Sequence, residues 1–181
     1  MSQHVLLTVP LRDGRRVELA YVAESDAGAI LDYVERIAEE TDFATFGPGE
    51  FGKTYEQEVT FLKTLSDGSN GLMIKAMVDG VMVGNALLGR SVRPRIRHVA
   101  DLGLSVRREF WRSGIGRALC QTAFLQAKRL GVTKISLRVR ADNVRAIQLY
   151  ESLGFTHEGR LAGTFLVADI AYDELVMGLR I

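Results

Sequence analysis

Apolar and polar positions along the chain alternate with two different periods. A period of two marks strands at Val5–Val9, Arg15–Val22, Leu72–Val78, Val81–Val92, Val99–Val106 and Ile135–Val139. The first two read as a strand pair or one interrupted strand, divided by Arg12, Asp13 and Gly14. Spacings of three and four mark helices instead. One covers Glu24–Glu40 through Ile30, Leu31, Val34, Ile37 and Ala38, with Ser25 and Asp26 as candidate caps. Another covers Tyr55–Leu65 through Val59, Phe61, Leu62 and Leu65. A third opens near Gly114 and carries Ile115, Leu119, Ala123 and Ala127 in four-residue steps, ending at Gly131. A fourth starts at Asp142 or Asn143 and closes at Gly154. Between the first two helices, Thr41–Lys53 holds Gly47, Pro48, Gly49 and Gly52 and reads as a loop. Asp67 with Gly68 marks a turn, Asp79 with Gly80 marks a hairpin, and the tail from Phe155 to Ile181 reads as two or more strands.

The junction between the Val99–Val106 strand and the third helix carries the strongest chemical signal. Ala100, Leu102, Leu104 and Val106 share one strand face, while Asp101, Gly103 and Ser105 share the other, which leaves room beside the strand. The helix that follows opens on glycines, and its first amides have no partner within it. The helix dipole adds partial positive charge there, and Arg112 and Arg117 add full charges. Glycine lets a phosphate approach the bare backbone, so Ser113 to Ala118 is a candidate phosphate or pyrophosphate site. The alternative is that Gly114 and Gly116 only form a tight turn. A dinucleotide fingerprint fits poorly, because Leu119 stands where a third glycine belongs and the next strand ends in Arg138 and Arg140 instead of an acid. A P-loop lacks its Gly-Lys-Ser/Thr.

The segment Trp111, Arg112, Ser113, Gly114, Ile115, Gly116 resembles the Gln/Arg-x-x-Gly-x-Gly/Ala motif of the GNAT superfamily of N-acetyltransferases, which use acetyl-CoA. Trp111 departs from the usual Gln or Arg, a change that leaves the backbone amides intact. Asn143 through Phe155 is similar to that superfamily's Asn-x-x-Ala-x-x-x-Tyr-x-x-x-Gly-Phe segment and follows one strand later. The resemblance runs from about Val17 to Ile181 and is weakest between Glu24 and Asn70. It implies an α+β fold, an α/β three-layer arrangement with a central mixed, mostly antiparallel sheet of about six to seven strands flanked by about four helices. A single domain over residues 1–181 is expected.

The resemblance also implies roles. Pyrophosphate falls to the amides of Arg112, Ser113, Gly114, Ile115, Gly116, Arg117 and Ala118. The pantetheine arm falls to backbone groups of Leu104, Ser105 and Val106, in the manner of an added strand. Asn143, Ala146 and Tyr150 complete the cofactor set, Asn143 offering both donor and acceptor. Tyr150 matches the general acid, since a phenol of pKa about 10 is protonated at neutral pH. Packing of Tyr150 against Leu149 and Leu153 is its plainer reading. Neutralising a lysine-like amine at pH 7 costs roughly 4.6 kcal/mol, so a base is wanted. Asp101 is the candidate, through a bridging water, with His98 as rival and a structural hydrogen-bonding role as the alternative. An oxyanion donor is expected at a backbone N–H near Leu104 or Ser105.

Composition narrows the field without choosing the acceptor. The chain has 181 residues, 47% hydrophobic and 25% charged, with net charge +1, which gives no global field for nucleic acid or an anionic membrane. The arginines at 90, 93, 95 and 97 with His98 form a local basic cluster, read as a solvated turn in preference to a nucleic-acid patch. One cysteine, Cys120, sits in an apolar helix, excludes an internal disulfide and suits a reducing cytoplasm. Met1–Pro10 lacks the pattern of a signal peptide, no membrane span is expected, and no metal is called for. The expected partners are acetyl-CoA and an amine acceptor, either a small molecule or a protein N-terminus, with a homodimer common among similar proteins. Glu35, Glu39, Glu40, Asp42, Glu50, Glu56 and Glu58 suit a cationic acceptor or simply face solvent. Phe43, Phe46 and Phe51 are either a substrate lid or plugs for their loop. A non-catalytic acyl-CoA-binding module on the same fold is the competing function.

Overall fold

The computed structural model describes residues 5–11, 13–66 and 68–181. Arg12 and Asp67, each in an expected turn, lie outside the described residues, as do residues 1–4. The elements follow the order β1 (Val5–Pro10), β2 (Arg16–Tyr21), α1 (Ala27–Glu40), α2 (Tyr55–Thr64), β3 (Gly71–Val78), β4 (Val81–Arg90), β5 (Val99–Val106), α3 (Ile115–Arg129), β6 (Lys134–Arg140), α4 (Val144–Ser152), β7 (Thr156–Val167) and β8 (Ile170–Arg180). The eight strands form one sheet in the order β1-β2-β3-β4-β5-β6-β8-β7. The sheet is mixed and mostly antiparallel as expected, with β5–β6 as its parallel pair. It exceeds the expected six to seven strands because both N-terminal segments pair in full as a hairpin and the tail folds into two long strands.

Strand alternation distributes the core between two layers. Leu72, Ile74, Ala86, Leu88, Ala100 and Leu102 bury one sheet face against α3 and α4. Met73, Met82 and Leu87 bury the other face against α1 and α2. The α1 stripe of Ile30, Tyr33, Val34 and Ile37 is fully buried, as its spacing demands. Thr54 caps α2 through its hydroxyl, which accepts from the Gln57 amide. Asp26, expected as a cap, directs its carboxylate elsewhere, and Ser25 lies within a short 3₁₀ turn. Asp26 accepts from the Ala23 amide and pairs at 2.6 Å with Lys75 Nζ, whose side chain is 2% exposed.

The β5–β6 pairing governs the site. Only Val99, Ala100 and Asp101 pair with β6, opposite Lys134, Ile135 and Ser136. Beyond them β5 stays on β4 as far as Val106, and β6 stays on β8 as far as Arg140. The sheet therefore opens into two leaves between β5 and β6.

The Lys75 ammonium is nearly sealed from water, so loss of its counter-ion leaves a buried charge. Asp26→Ala is expected to lower unfolding stability by about 3–5 kcal/mol in urea denaturation. A loss below about 1 kcal/mol would show that the pair does not fasten α1 to β3.

Candidate active site

The opening between the leaves is the root of a cavity of about 710 Å³. One strand wall runs from Leu102 to Val106, with Met73, Asn85 and Leu87 beside it; Arg138 to Arg140 of β6 stand on the other leaf, and α1, α2, α3, α4 and the loop between α1 and α2 contribute the remainder of the lining together with Phe165 and Glu174. The direction of the β5 backbone groups follows from one bond. The Arg107 amide donates to the Val83 carbonyl on β4, so alternation turns the N–H and C=O of Ser105 and Gly103 toward β4 as well. Those of Leu104 and Val106 then point into the opening. The Val106 carbonyl accepts from Trp111 Nε1 at 2.7 Å. The Leu104 groups and the Val106 amide are left facing the cavity, an edge that an extended ligand can join.

Beside the opening, packed against Leu104 and Val106, lies the start of α3. Gly114 is its N-cap, with φ +92°, a conformation open to glycine at little cost. The Ala118 amide already bonds the Gly114 carbonyl, which leaves the Ile115, Gly116 and Arg117 amides as the helix's free donors. Two residues of the expected pyrophosphate set make internal bonds. The Ala118 amide is spent inside the helix, and Ser113 turns inward, its hydroxyl donating to the Phe110 carbonyl at 2.6 Å. Neither lines the cavity, whereas Arg112, Gly114, Ile115, Gly116 and Arg117 do.

Trp111 organises a set of cations at the mouth. The Arg145 guanidinium lies 3.3 Å from its ring centroid and that of Arg108 lies 5.5 Å away. Burial, followed by the charges of Arg112 and Arg108, holds the Arg145 pKa below the ordinary arginine range. No carboxylate pairs with Arg145 among the described residues. Uncompensated cations beside free helix amides form a fitting cradle for phosphate oxygens. Sequence patterns did not single out Arg145, although a cation in the first turn of a helix opposes the dipole and is better placed there beside an anion.

On α4, Asn143 Oδ1 accepts from the Ala146 amide at 3.2 Å and caps the helix, so its Nδ2 is the group left for a ligand. Asn143, Ala146, Leu149 and Tyr150 all line the cavity. Tyr150 is 6% exposed and packs on Phe155, with ring centroids 5.6 Å apart. Its hydroxyl has no hydrogen-bond partner among the described residues. Burial pushes its pKa above the usual phenol range, so the proton is retained at neutral pH.

On the other face of β5, Ser105 Oγ donates to Asn85 Oδ1 at 3.2 Å. With its proton committed there, Ser105 accepts from Tyr33 on α1 at 2.9 Å. This chain, absent from the sequence reading, fastens α1 over the strand. Asp101 lies on the same face, exposed, at the last position of β5 that pairs with β6 and outside the cavity lining. His98 is exposed in the loop before β5.

The α1–α2 loop is held by Arg140, whose burial the sequence did not reveal. Its guanidinium pairs with Asp142 at 2.7 Å and Asp42 at 3.4 Å, and stacks on Phe43 and Tyr172 at 4.3 and 4.1 Å. Phe46 and Phe51 meet edge to face at 5.0 Å inside the α1–α2 cluster. The aromatics thus serve as anchors and as cavity wall together. Among the described residues, no group of three His, Cys, Asp or Glu could hold a metal ion, and no helix is long and apolar enough to cross a membrane.

A mixed sheet split at one parallel pair, with a glycine-opened helix beside the gap, defines the N-acyltransferase fold expected from the sequence. The chain belongs to the acetyltransferase (GNAT) family, whose profile matches residues 31–155. It is 34% identical over 96 residues to the L-amino acid N-acetyltransferase AaaT of Escherichia coli K12, covering 52% of this chain and 59% of that protein. It is 36% identical over 78 residues to the ribosomal protein bS18-alanine N-acetyltransferase of the same strain, covering 43% and 53%. The chain thus spans little more than half the length of these curated relatives. An acetyltransferase of the GNAT family from Streptococcus pneumoniae superposes with a TM-score of 0.87 at 25% identity, over 91% of this chain and 99% of that one.

Cys120 lies beneath this site, and burial pushes its thiol up to about 12 despite the opposing charge of Arg117. The thiolate is the reactive form, so a raised pKa removes reactivity at pH 8. Iodoacetamide at that pH is expected to alkylate the folded protein on the order of 10³-fold more slowly than the urea-unfolded chain. Equal rates by mass spectrometry would contradict the burial.

Proposed function

We propose that this protein is an N-acetyltransferase moving an acetyl group from acetyl-CoA to a primary amine by direct attack in a ternary complex. The observation that carries this reading is the pairing of two unsatisfied backbone surfaces across one cavity. The strand edge at Leu104 and Val106 and the free amides of Ile115, Gly116 and Arg117 border the same cavity, and Tyr150 lines it from α4. Acetyl-CoA, when bound, supplies an acetyl thioester open to attack.

The chain's own groups then divide the work. The α3 amides, with Arg112, Arg117 and Arg145, bind phosphate oxygens. The Leu104 and Val106 backbone groups and Asn143 Nδ2 hold the amides of the arm and fix its direction. A backbone N–H at Leu104 is placed to receive the carbonyl oxygen as charge builds on it. Tyr150 holds a proton at its hydroxyl oxygen for the departing sulfur. Asp101 draws the amine's proton through water. Gly103, between Asp101 and Ser105 on that face, keeps the path open, since a Cβ there would meet nothing within 4 Å. The relatives' names, one acting on L-amino acids and one on a ribosomal protein's alanine, support an amine as acceptor.

Acetyl-CoA at a hundredfold over its Kd is expected to add about 2.7 kcal/mol of stability in a thermal melt, with NADH giving none. No shift at millimolar acetyl-CoA would remove the cofactor assignment. Tyr150→Phe is expected to keep acetyl-CoA affinity and lose about 10²-fold in turnover. Unchanged turnover would take Tyr150 out of the mechanism, and absence of turnover in the parent protein would favour a binding module. In the same series Asp101→Asn is expected to move the pH–rate profile, and an unmoved profile places the base elsewhere.

A further inference from the structure

The half of the cavity under α1 and α2 contains an ion pair with no part in the chemistry above. Glu58, on α2, is 1% exposed, and its Oε2 lies 2.9 Å from Lys53 Nζ. The same ammonium lies 3.9 Å from the Phe61 ring centroid and 5.3 Å from that of Phe51. All four residues line the cavity. A sealed carboxylate flanked by two phenyl faces is a receptor for an alkylammonium ion: the carboxylate supplies charge, the ring faces supply quadrupole attraction, and their edges accommodate an aliphatic stem.

The two partners are unequal in freedom. The Glu58 side chain is 2% exposed, fixed on a helix, whereas that of Lys53 is 33% exposed and belongs to the α1–α2 loop. Gly52, immediately before it, has φ +69°, a position where the chain can turn at low cost. Lys53 is therefore the movable member, and the receptor remains when it leaves.

We infer that Glu58, Phe51 and Phe61 form a subsite for a second, unreacting ammonium group on the acceptor, occupied by Lys53 until the acceptor displaces it. The inference rests on the cavity being the transferase site. The group held here is not the one acetylated, because a buried carboxylate keeps its partner protonated and an attacking nitrogen must be neutral. Phe51 and Phe61 pack in the cluster that contains Met73 and Leu87, under α1 and α2, whereas Leu104 stands on β5. Met73, Leu87 and Gly103 form one cross-strand row of the cavity lining, spanning about 10 Å from β3 to β5 at the usual strand spacing, which sets the scale of the separation between the two nitrogens. The acceptor class is an aliphatic amine with a second cationic nitrogen several bonds from the first.

Calorimetry in saturating CoA, with n-pentylamine and its neutral isostere 1-pentanol as probes, tests the subsite without turnover. Wild-type protein is expected to bind n-pentylamine about tenfold or more tightly than 1-pentanol, and Glu58→Gln to abolish that preference while leaving 1-pentanol unchanged. Lys53→Met, which removes the internal competitor, is expected to raise the preference further. Equal affinities in the wild type, or a Glu58→Gln loss shared by both probes, overturns the inference. Should Glu58→Gln fail to fold, a preference unaltered in Lys53→Met overturns it equally. Thiol release from acetyl-CoA, measured with cadaverine, reports on the transferase separately. Release without discrimination in binding sinks the subsite alone. Discrimination without release upholds an ammonium site in the cavity and overturns its role toward an acceptor.

Discussion

Backbone amides and carbonyls inside a sheet must find partners, and β5 and β6 stop supplying them to each other after Asp101 and Ser136. Each strand keeps its outer neighbour, so the unmet groups all face inward on one gap. That single mismatch explains the arrangement around it. The helix after β5 ends up with its own unmet amides beside the gap, and the helix after β6 brings Asn143 and Tyr150 to the opposite wall. A fold that leaves so many donors and acceptors unsatisfied at one place is completed by a ligand with the matching groups in an extended array.

Charge is distributed to the same end. Glu40 occupies Arg107 and the Arg108 amide, and Asp42 with Asp142 occupies Arg140. These pairs lock the end of α1 and its following loop onto the two leaves. Among the described residues Arg145 and Arg112 keep no carboxylate partner, which concentrates unspent positive charge at the mouth. The α1–α2 side of the cavity has the reverse design, with aromatic walls and the buried Glu58 carboxylate paired to Lys53. The two ends are thus prepared for unlike ends of a complex: a polyanion at one and a cation at the other.

Much of this was legible because local patterns coincided with tertiary needs. The bounds of β5 follow from strict alternation, and the start of α3 follows from Gly114 and Gly116 next to an apolar stripe. Asn143 and Tyr150 were legible through their spacing and the resemblance it supports. Other parts depend on partners remote in the chain. Arg140 reads as the polar end of a strand, and only the meeting with Phe43, Asp42 and Tyr172 buries it. Glu58 looks like one more surface acid on a weakly amphipathic helix, and the arrival of Lys53 from the loop sets it apart. Ser113, expected to contribute its amide, also makes a hydroxyl bond to the Phe110 carbonyl that motif spacing does not reveal.

Trp111 replaces the residue usual at its place in the glycine motif, and it is the chain's only tryptophan. Its indole N–H is tied to the strand carbonyl nearest the gap, and its ring lies beneath an arginine aimed at the same opening. An anion drawn to Arg145 changes the charge over that ring. The protein therefore carries a built-in optical probe at the mouth of its cavity. Ultraviolet emission from one known position can follow loading and release in real time, free of labels and of background from other indoles.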